Sequence, residues 1–164
     1  MPTAWPTTPS AEFCAAVRSP LGFPSSETRN TTQTSPGKFD RLTFLEASAE
    51  HVPLDDASVD TVVTTWTLCT IPDAVGALRE ARRVLKAAGR LVFVEHGPAP
   101  ERNVQKWQNG LTPVWMRITG GCHLNRPIAQ IIETAGFAIE TLDTGYLPGS
   151  KFLAYLSEGS ARPV

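Results

Sequence analysis

Cysteine and histidine are scarce in this chain, with three of each in 164 residues. Cys14, Cys69 and Cys122 are odd in number, far apart and form no C-x-x-C. That pattern argues against a disulfide framework and makes a reducing cytoplasm the default compartment. His51, His96 and His123 are equally scattered, and no pair has the spacing of two ligands on one helix face. No metal site is therefore expected, because such sites need several converging ligands. A charge excess is also missing: 15 Lys and Arg face 16 Asp and Glu, for a formal net charge of −1. This excludes the electrostatic footprint of a nucleic-acid partner. No apolar run reaches the length of a membrane span, and the first residues lack the basic and apolar regions of a signal peptide. A G-x-G-x-x-G loop is absent, which excludes the usual nicotinamide-binding enzyme.

What the chain does have is unevenly distributed. Residues 1–36 contain six prolines and twelve serines or threonines. A segment of that composition buries too little apolar surface to offset its ordering entropy. Residues 1–38 are accordingly predicted to be disordered, apart from a turn or two of helix over 11–17. From residue 39 to 158 strand and helix signals alternate, and 159–164 form a tail. "RLTFLEA" (41–47) and "SVDTVVTTW" (58–66) predict strands. Asp73 is placed to cap a helix running to about Ala88, with Ala74, Leu78, Ala81 and Leu85 on one face and Gly89 as its left-handed stop. "RLVFVEH" (90–96) is apolar on both faces, as an interior parallel strand is. Residues 101–118 predict a helix broken at Pro113. A loop (120–126) then leads into a helix that opens at Pro127, with Asn125 as a candidate cap, and ends at Gly136. Residues 137–147 and 151–157 predict an antiparallel pair of strands. The class is α/β, with helical crossovers in the middle and an antiparallel edge.

These residues match a known pattern. "A-E-x-x-P" followed by "D-x-V-V" runs from Ala49 to Val63, and "L-C-T-I-P-D" occupies 68–73. "R-V-L-K-x-x-G-R-L-V-F-V-E-H" (83–96) and "G-C-H-L-N-R" (121–126) follow in order. The combination resembles the second half of class I S-adenosylmethionine-dependent methyltransferases. The nearest likeness is to the type 11 group, which includes quinone-biosynthesis and methyltransferase-like small-molecule enzymes. The resemblance covers residues 41–158. It implies a Rossmann-like sheet of order 3-2-1-4-5-7-6 with the seventh strand antiparallel, of which this chain carries strands three to seven. The E/D-x-G-x-G loop after the first strand, and the acidic residue ending the second, have no counterpart in residues 1–40. A sheet without those strands predicts self-association or a partner chain that completes it, and the alternative to an enzyme is a non-catalytic fragment or subunit.

The family's cofactor, S-adenosylmethionine, lies outside the carboxyl ends of the strands, as ligands do in open α/β sheets. By resemblance Ser48, Ala49 and Glu50 mark the adenine side, with Ser48 where relatives carry an aspartate. Thr65, Trp66 and Leu68 line the pocket between cofactor and acceptor. Glu95 and His96 end a wholly apolar strand, a costly placement for polar groups unless they meet partners or a ligand. His96 is the candidate base, Glu95 its companion at the rim, and His123 reaches the acceptor from the loop after Gly121. Trp107, Trp115 and Met116 offer an apolar lid. Cys69 and Cys122 have no activating neighbour in sequence and read as ordinary thiols. The expected acceptor is a small, apolar molecule.

Overall fold

A computed structural model describes residues 30–31, 44–45, 47–148 and 155–164. The helix expected at 11–17 lies outside the described residues, as does most of the segment 1–38. Two short strands, β1 (Asn30–Thr31) and β2 (Phe44–Leu45), pair antiparallel with each other. Within the segment expected to be disordered, Asn30 and Thr31 are thus strand. Residues 44–45 of the expected first strand pair with them and not with the main sheet.

Among the described residues the main sheet has four strands in the order β3 (Val59–Thr65), β4 (Leu85–His96), β6 (Tyr155–Pro163) and β5 (Phe137–Tyr146). β3 and β4 are parallel, and β6 runs antiparallel to both β4 and β5. This is the 4-5-7-6 portion of the order implied by the resemblance. Strand β6 continues to Pro163 through residues expected as a tail, because its last residues pair with the start of β5: Arg162 faces Ala138 and Pro163 faces Phe137. Gly159 allows the two strands to close. A Cβ there would fall on the Thr141 carbonyl oxygen and 3.0 Å from the Phe93 ring.

Helices α1 (Ala74–Val84) and α3 (Ile128–Thr134) cover one face of the sheet. Leu78, Ile128, Ile132, Leu91, Phe93, Phe137 and Ala161 form the centre of that core. Asp73 caps α1 as its sequence position suggests, Oδ1 accepting from the Gly76 amide at 2.8 Å. The helix does not reach Ala88. The Ala57 and Ser58 amides donate to the Arg83 and Val84 carbonyls at 2.9 and 2.8 Å, and Leu85 pairs with Val59. These contacts satisfy the helix-end carbonyls and draw the chain into β4. Gly89 therefore sits in a strand and has no left-handed φ; a Cβ there would meet the Lys86 carbonyl oxygen at 2.8 Å.

Helix α2 (Arg102–Ile118) runs through Pro113 without a break. Pro113 is exposed and only the Asn109 carbonyl loses its donor, so solvent can take its place. Pro127 is the N-cap residue of α3, and Asn125 is not a cap: its Nδ2 donates to Asn109 Oδ1 at 2.8 Å. Gly136 follows α3 with φ 89°, the left-handed stop expected there. Among the described residues no helix is long and apolar enough to cross a membrane.

Candidate functional site

The carboxyl ends of the parallel strands β3 and β4 lie side by side, and the residues singled out by sequence divide there into two groups. The first lines an apolar groove between residues 45–54, the end of β3 and helix α1. Ser48, Ala49 and Leu68 all face it, together with Val62, Thr64 and Thr67. Ser48 is exposed at the groove wall, where its Oγ accepts weakly from the Glu50 amide at 3.3 Å. Glu50 does not line the groove. Its carboxylate accepts from the Asp73 amide at 3.1 Å and so ties this loop to the start of α1. Thr65 and Trp66 do not line it either.

The second group forms the rim. Trp66 leaves β3 in the left-handed region (φ 55°), a conformation that strains a bulky side chain. It is held there by its amide, which donates to the Val94 carbonyl at 3.0 Å, and its ring lies 5.4 Å from that of His96. Glu95 is fully buried. Its Oε1 accepts from both the Thr67 amide (3.1 Å) and the Thr67 hydroxyl (3.2 Å). Oε2 has no partner of normal geometry among the described residues, and burial pushes the Glu95 carboxyl above its ordinary range. His96, the candidate base, is 3% exposed and turns its Nε2 to the Cys122 sulfur at 3.5 Å. His123 stacks its contacts on Cys69: its amide donates to the Cys69 carbonyl at 2.8 Å, and Nδ1 lies 3.1 Å from the same oxygen. Arg126 Nη1 donates to the Leu68 and Ile71 carbonyls at 2.5 and 2.6 Å, fixing the turn after β3.

The two cysteines are not ordinary thiols. Their sulfurs lie 3.5 Å apart although 53 residues separate them in sequence. The hydrogen bond with Cys69 lowers the Cys122 thiol to about 7 against the opposing effect of burial, with the Trp115 indole as a lesser contribution. Cys69 is pushed up, first by that same bond and then by burial. With His96 Nε2 the two sulfurs form a cluster whose atoms all lie within 4.8 Å of one another. The expectation of no metal-ligand group rested on sequence spacing alone, and the fold overturns that ground by bringing the ends of β3, β4 and α2 together. The proposed lid is only partly a lid: Trp107 is two-thirds exposed, whereas Trp115 and Met116 are half-buried.

Comparison with known proteins finds relatives for part of the chain. Residues 20–93 match the methyltransferase domain family. Over that stretch, less than half of the chain, the sequence resembles the class I methyltransferases. It is 40% identical over 97 residues to the thiol S-methyltransferase TMT1B of Rattus norvegicus, covering 58% of this chain and 40% of that protein. It is 36% identical over 119 residues to the ubiquinone/menaquinone biosynthesis C-methyltransferase UbiE of Brucella anthropi, covering 62% and 45%. A crystal structure of a SAM-dependent methyltransferase from Methanosarcina mazei superimposes with a TM-score of 0.58 at 18% identity, covering 74% of this chain and 66% of that one. The chain thus spans less than half the length of these two curated relatives.

Proposed function

We propose that this chain carries the adenine side and the acceptor rim of an S-adenosylmethionine-dependent methyltransferase that acts on a small, apolar acceptor. The observation that carries the reading is the placement of an apolar groove and the His96 rim side by side at the carboxyl ends of parallel β3 and β4, joined by the Thr67–Glu95 hydrogen bonds. The groove suits a flat aromatic base. Ala49, Val62 and Leu68 offer it apolar walls, and the exposed Ser48 hydroxyl offers a hydrogen bond. The residues fit the adenine end of the cofactor; residues 1–40 contain no glycine-rich loop for its amino-acid end.

When bound, the sulfonium supplies an electrophilic methyl group for in-line displacement. The protein's part is then alignment and exclusion of water. Glu95 acts as a positioning residue: it holds Thr67, and through it the turn bearing Leu68, against the end of β4. His96 and His123 face the acceptor side. A thiol is the acceptor class favoured by the 40% identity to a thiol S-methyltransferase. Labelled S-adenosylmethionine with a panel of small apolar thiols and phenols tests the reading: methyl transfer to a thiol supports it, and no transfer to any acceptor by a folded, cofactor-binding chain refutes it.

A second reading is favoured by one observation. β3 has a strand neighbour on one side only among the described residues, and Val63 on it is 37% exposed. An open strand edge invites pairing. In this reading the chain is a subunit completed by a second copy or a partner chain, and sedimentation at several concentrations tests it: a monomer at all of them refutes self-association.

A further inference from the structure

Cys69, His96 and Cys122 come from three separate parts of the chain. Cys69 lies in the turn after β3, His96 is the last residue of β4, and Cys122 lies in the loop after α2. Their ligand atoms nevertheless converge. The Cys122 sulfur is 3.5 Å from the Cys69 sulfur and 3.5 Å from His96 Nε2, and all three atoms lie within 4.8 Å of one another.

A tetrahedral Zn2+ with bonds of about 2.3 Å to sulfur and about 2.0–2.1 Å to nitrogen spaces its sulfurs about 3.8 Å apart and sulfur from nitrogen about 3.6 Å apart. Two of the three spacings here already have those values to within a few tenths of an ångström, and the third lies inside 4.8 Å. We propose that Cys69, His96 and Cys122 form a three-ligand site for a thiophilic divalent cation of the Zn2+ class, with its fourth position open.

The frame around the cluster is rigid where a metal site needs it to be. The His123 amide donates to the Cys69 carbonyl at 2.8 Å, which locks the two cysteine-bearing loops together. Arg126 bonds the Leu68 and Ile71 carbonyls on either side of Cys69. The Trp66 ring covers His96. Gly120 and Gly121 take left-handed φ of 71° and 100°, turning the chain after α2 directly before Cys122. His96 is the second, independent indication. It is 97% buried, yet its Nε2 meets only sulfur and its Nδ1 has no partner among the described residues. An imidazole removed from water on such terms is unfavourable, and a metal bond at Nε2 would offset that cost.

Cys69 and His96 are buried and Cys122 is only half-buried, so access is from the Cys122 side, facing the rim. Binding replaces two S–H bonds by two metal–sulfur bonds and releases two protons to solvent, leaving a site of zero net charge. A water or an exchangeable thiolate would fill the fourth position. A thiol acceptor there would lose its own proton to solvent and sit beside the groove; that last clause alone rests on the methyl-transfer reading above.

Co2+ titration of the full reduced chain under anaerobic conditions tests the proposal, followed by Zn2+ competition against a chromophoric chelator. The expected result is a 1:1 endpoint with the sulfur-to-metal charge-transfer and intense d–d bands of tetrahedral thiolate-bound Co2+, bleached by Zn2+. Cys122→Ser, at a half-buried position, should reduce the charge-transfer band and weaken Zn2+ by at least about tenfold while the circular-dichroism spectrum stays that of the parent. His96→Gln should weaken it similarly. Absence of charge-transfer bands from the folded parent, or bands unchanged in Cys122→Ser, would overturn the site. No methyl donor enters the experiment, so its failure leaves the methyltransferase reading untouched and a failure of methyl transfer leaves the site untouched.

Discussion

Thr67 gives both its backbone amide and its hydroxyl to one oxygen of Glu95, at 3.1 and 3.2 Å. That double bond of donors fastens the turn after β3 to the end of β4, and it does so inside the protein, where Glu95 has no solvent exposure. Substitutions at Glu95 should follow the acceptor rather than the charge. Glu95→Gln keeps an oxygen for Thr67 and should remain within about 1 kcal/mol of the parent, because burial already disfavours the ionised carboxyl. Glu95→Leu leaves the Thr67 amide and hydroxyl unpaired and should cost about 1–3 kcal/mol. Urea denaturation of the three proteins distinguishes them; equal losses in both variants would contradict the assignment.

Trp66 has a left-handed backbone without being glycine or asparagine. A residue with a Cβ there costs about 1–2 kcal/mol relative to one that adopts the region freely. Trp66→Gly should therefore be more stable than Trp66→Ala by about 1 kcal/mol, the reverse of the ordering at most positions. Both lose the ring contact with His96, so the comparison isolates the backbone. An alanine variant at least as stable as the glycine variant would contradict the φ assignment.

Gly159 stands where β6 has no room for a side chain between β5 and Phe93. A methyl group there would strike the Thr141 carbonyl and lie 3.0 Å from the Phe93 ring. Both obstacles are backbone or core, so neither yields cheaply. Gly159→Ala should destabilise by about 1–3 kcal/mol, measured by chemical denaturation. A neutral substitution would show that the β5–β6 register differs from that described.

Glu80 is held by Arg83 and by the Val52 amide. Its Oε1 accepts from the amide at 2.9 Å and from Arg83 Nη2 at 2.7 Å, and Oε2 accepts from Arg83 Nε at 2.9 Å. The Arg83 contact holds this carboxyl below its ordinary value of 4.5. A folded-state value below the unfolded one adds stability that is fully present above pH 4.5 and is lost as pH falls through the folded-state value. Glu80→Gln should flatten the acid limb of the melting temperature against pH in that window and leave the slope near neutrality unchanged. An acid limb identical to that of the parent would contradict the clamp.

Much of the fold is legible in the residues themselves. The β-branched run at 59–65, the apolar strand ending at Glu95–His96 and the cap at Asp73 all report local preferences that the fold respects. The same local logic misplaces the end of α1. The Arg83 and Val84 carbonyls are satisfied by amides of residues 57 and 58, more than twenty positions away in sequence, and no periodicity announces that. Asn125 is a good cap by residue type, but a side-chain partner on α2 takes it instead. The site divides in the same way. Ser48, Ala49 and Leu68 were recognisable from a family pattern, and they meet on one groove. The Cys69–His96–Cys122 cluster was not recognisable, because only the sheet order and the loop after α2 bring its three members together. The one signal available was Glu95–His96 itself, a polar pair at the end of an apolar strand.

Under the proposed function, the groove lined by Ser48, Ala49 and Leu68 receives the adenine end of the methyl-donor cofactor. Isothermal titration of the folded chain with S-adenosylhomocysteine measures this most directly, set beside Ser48→Trp, which would fill the groove from its exposed wall. The expected result is saturable binding at one site per chain, weak for want of a glycine-rich loop and on the order of 1 mM, and lost in Ser48→Trp with the melting temperature unchanged. No heat at millimolar ligand, or binding that survives Ser48→Trp, would contradict it.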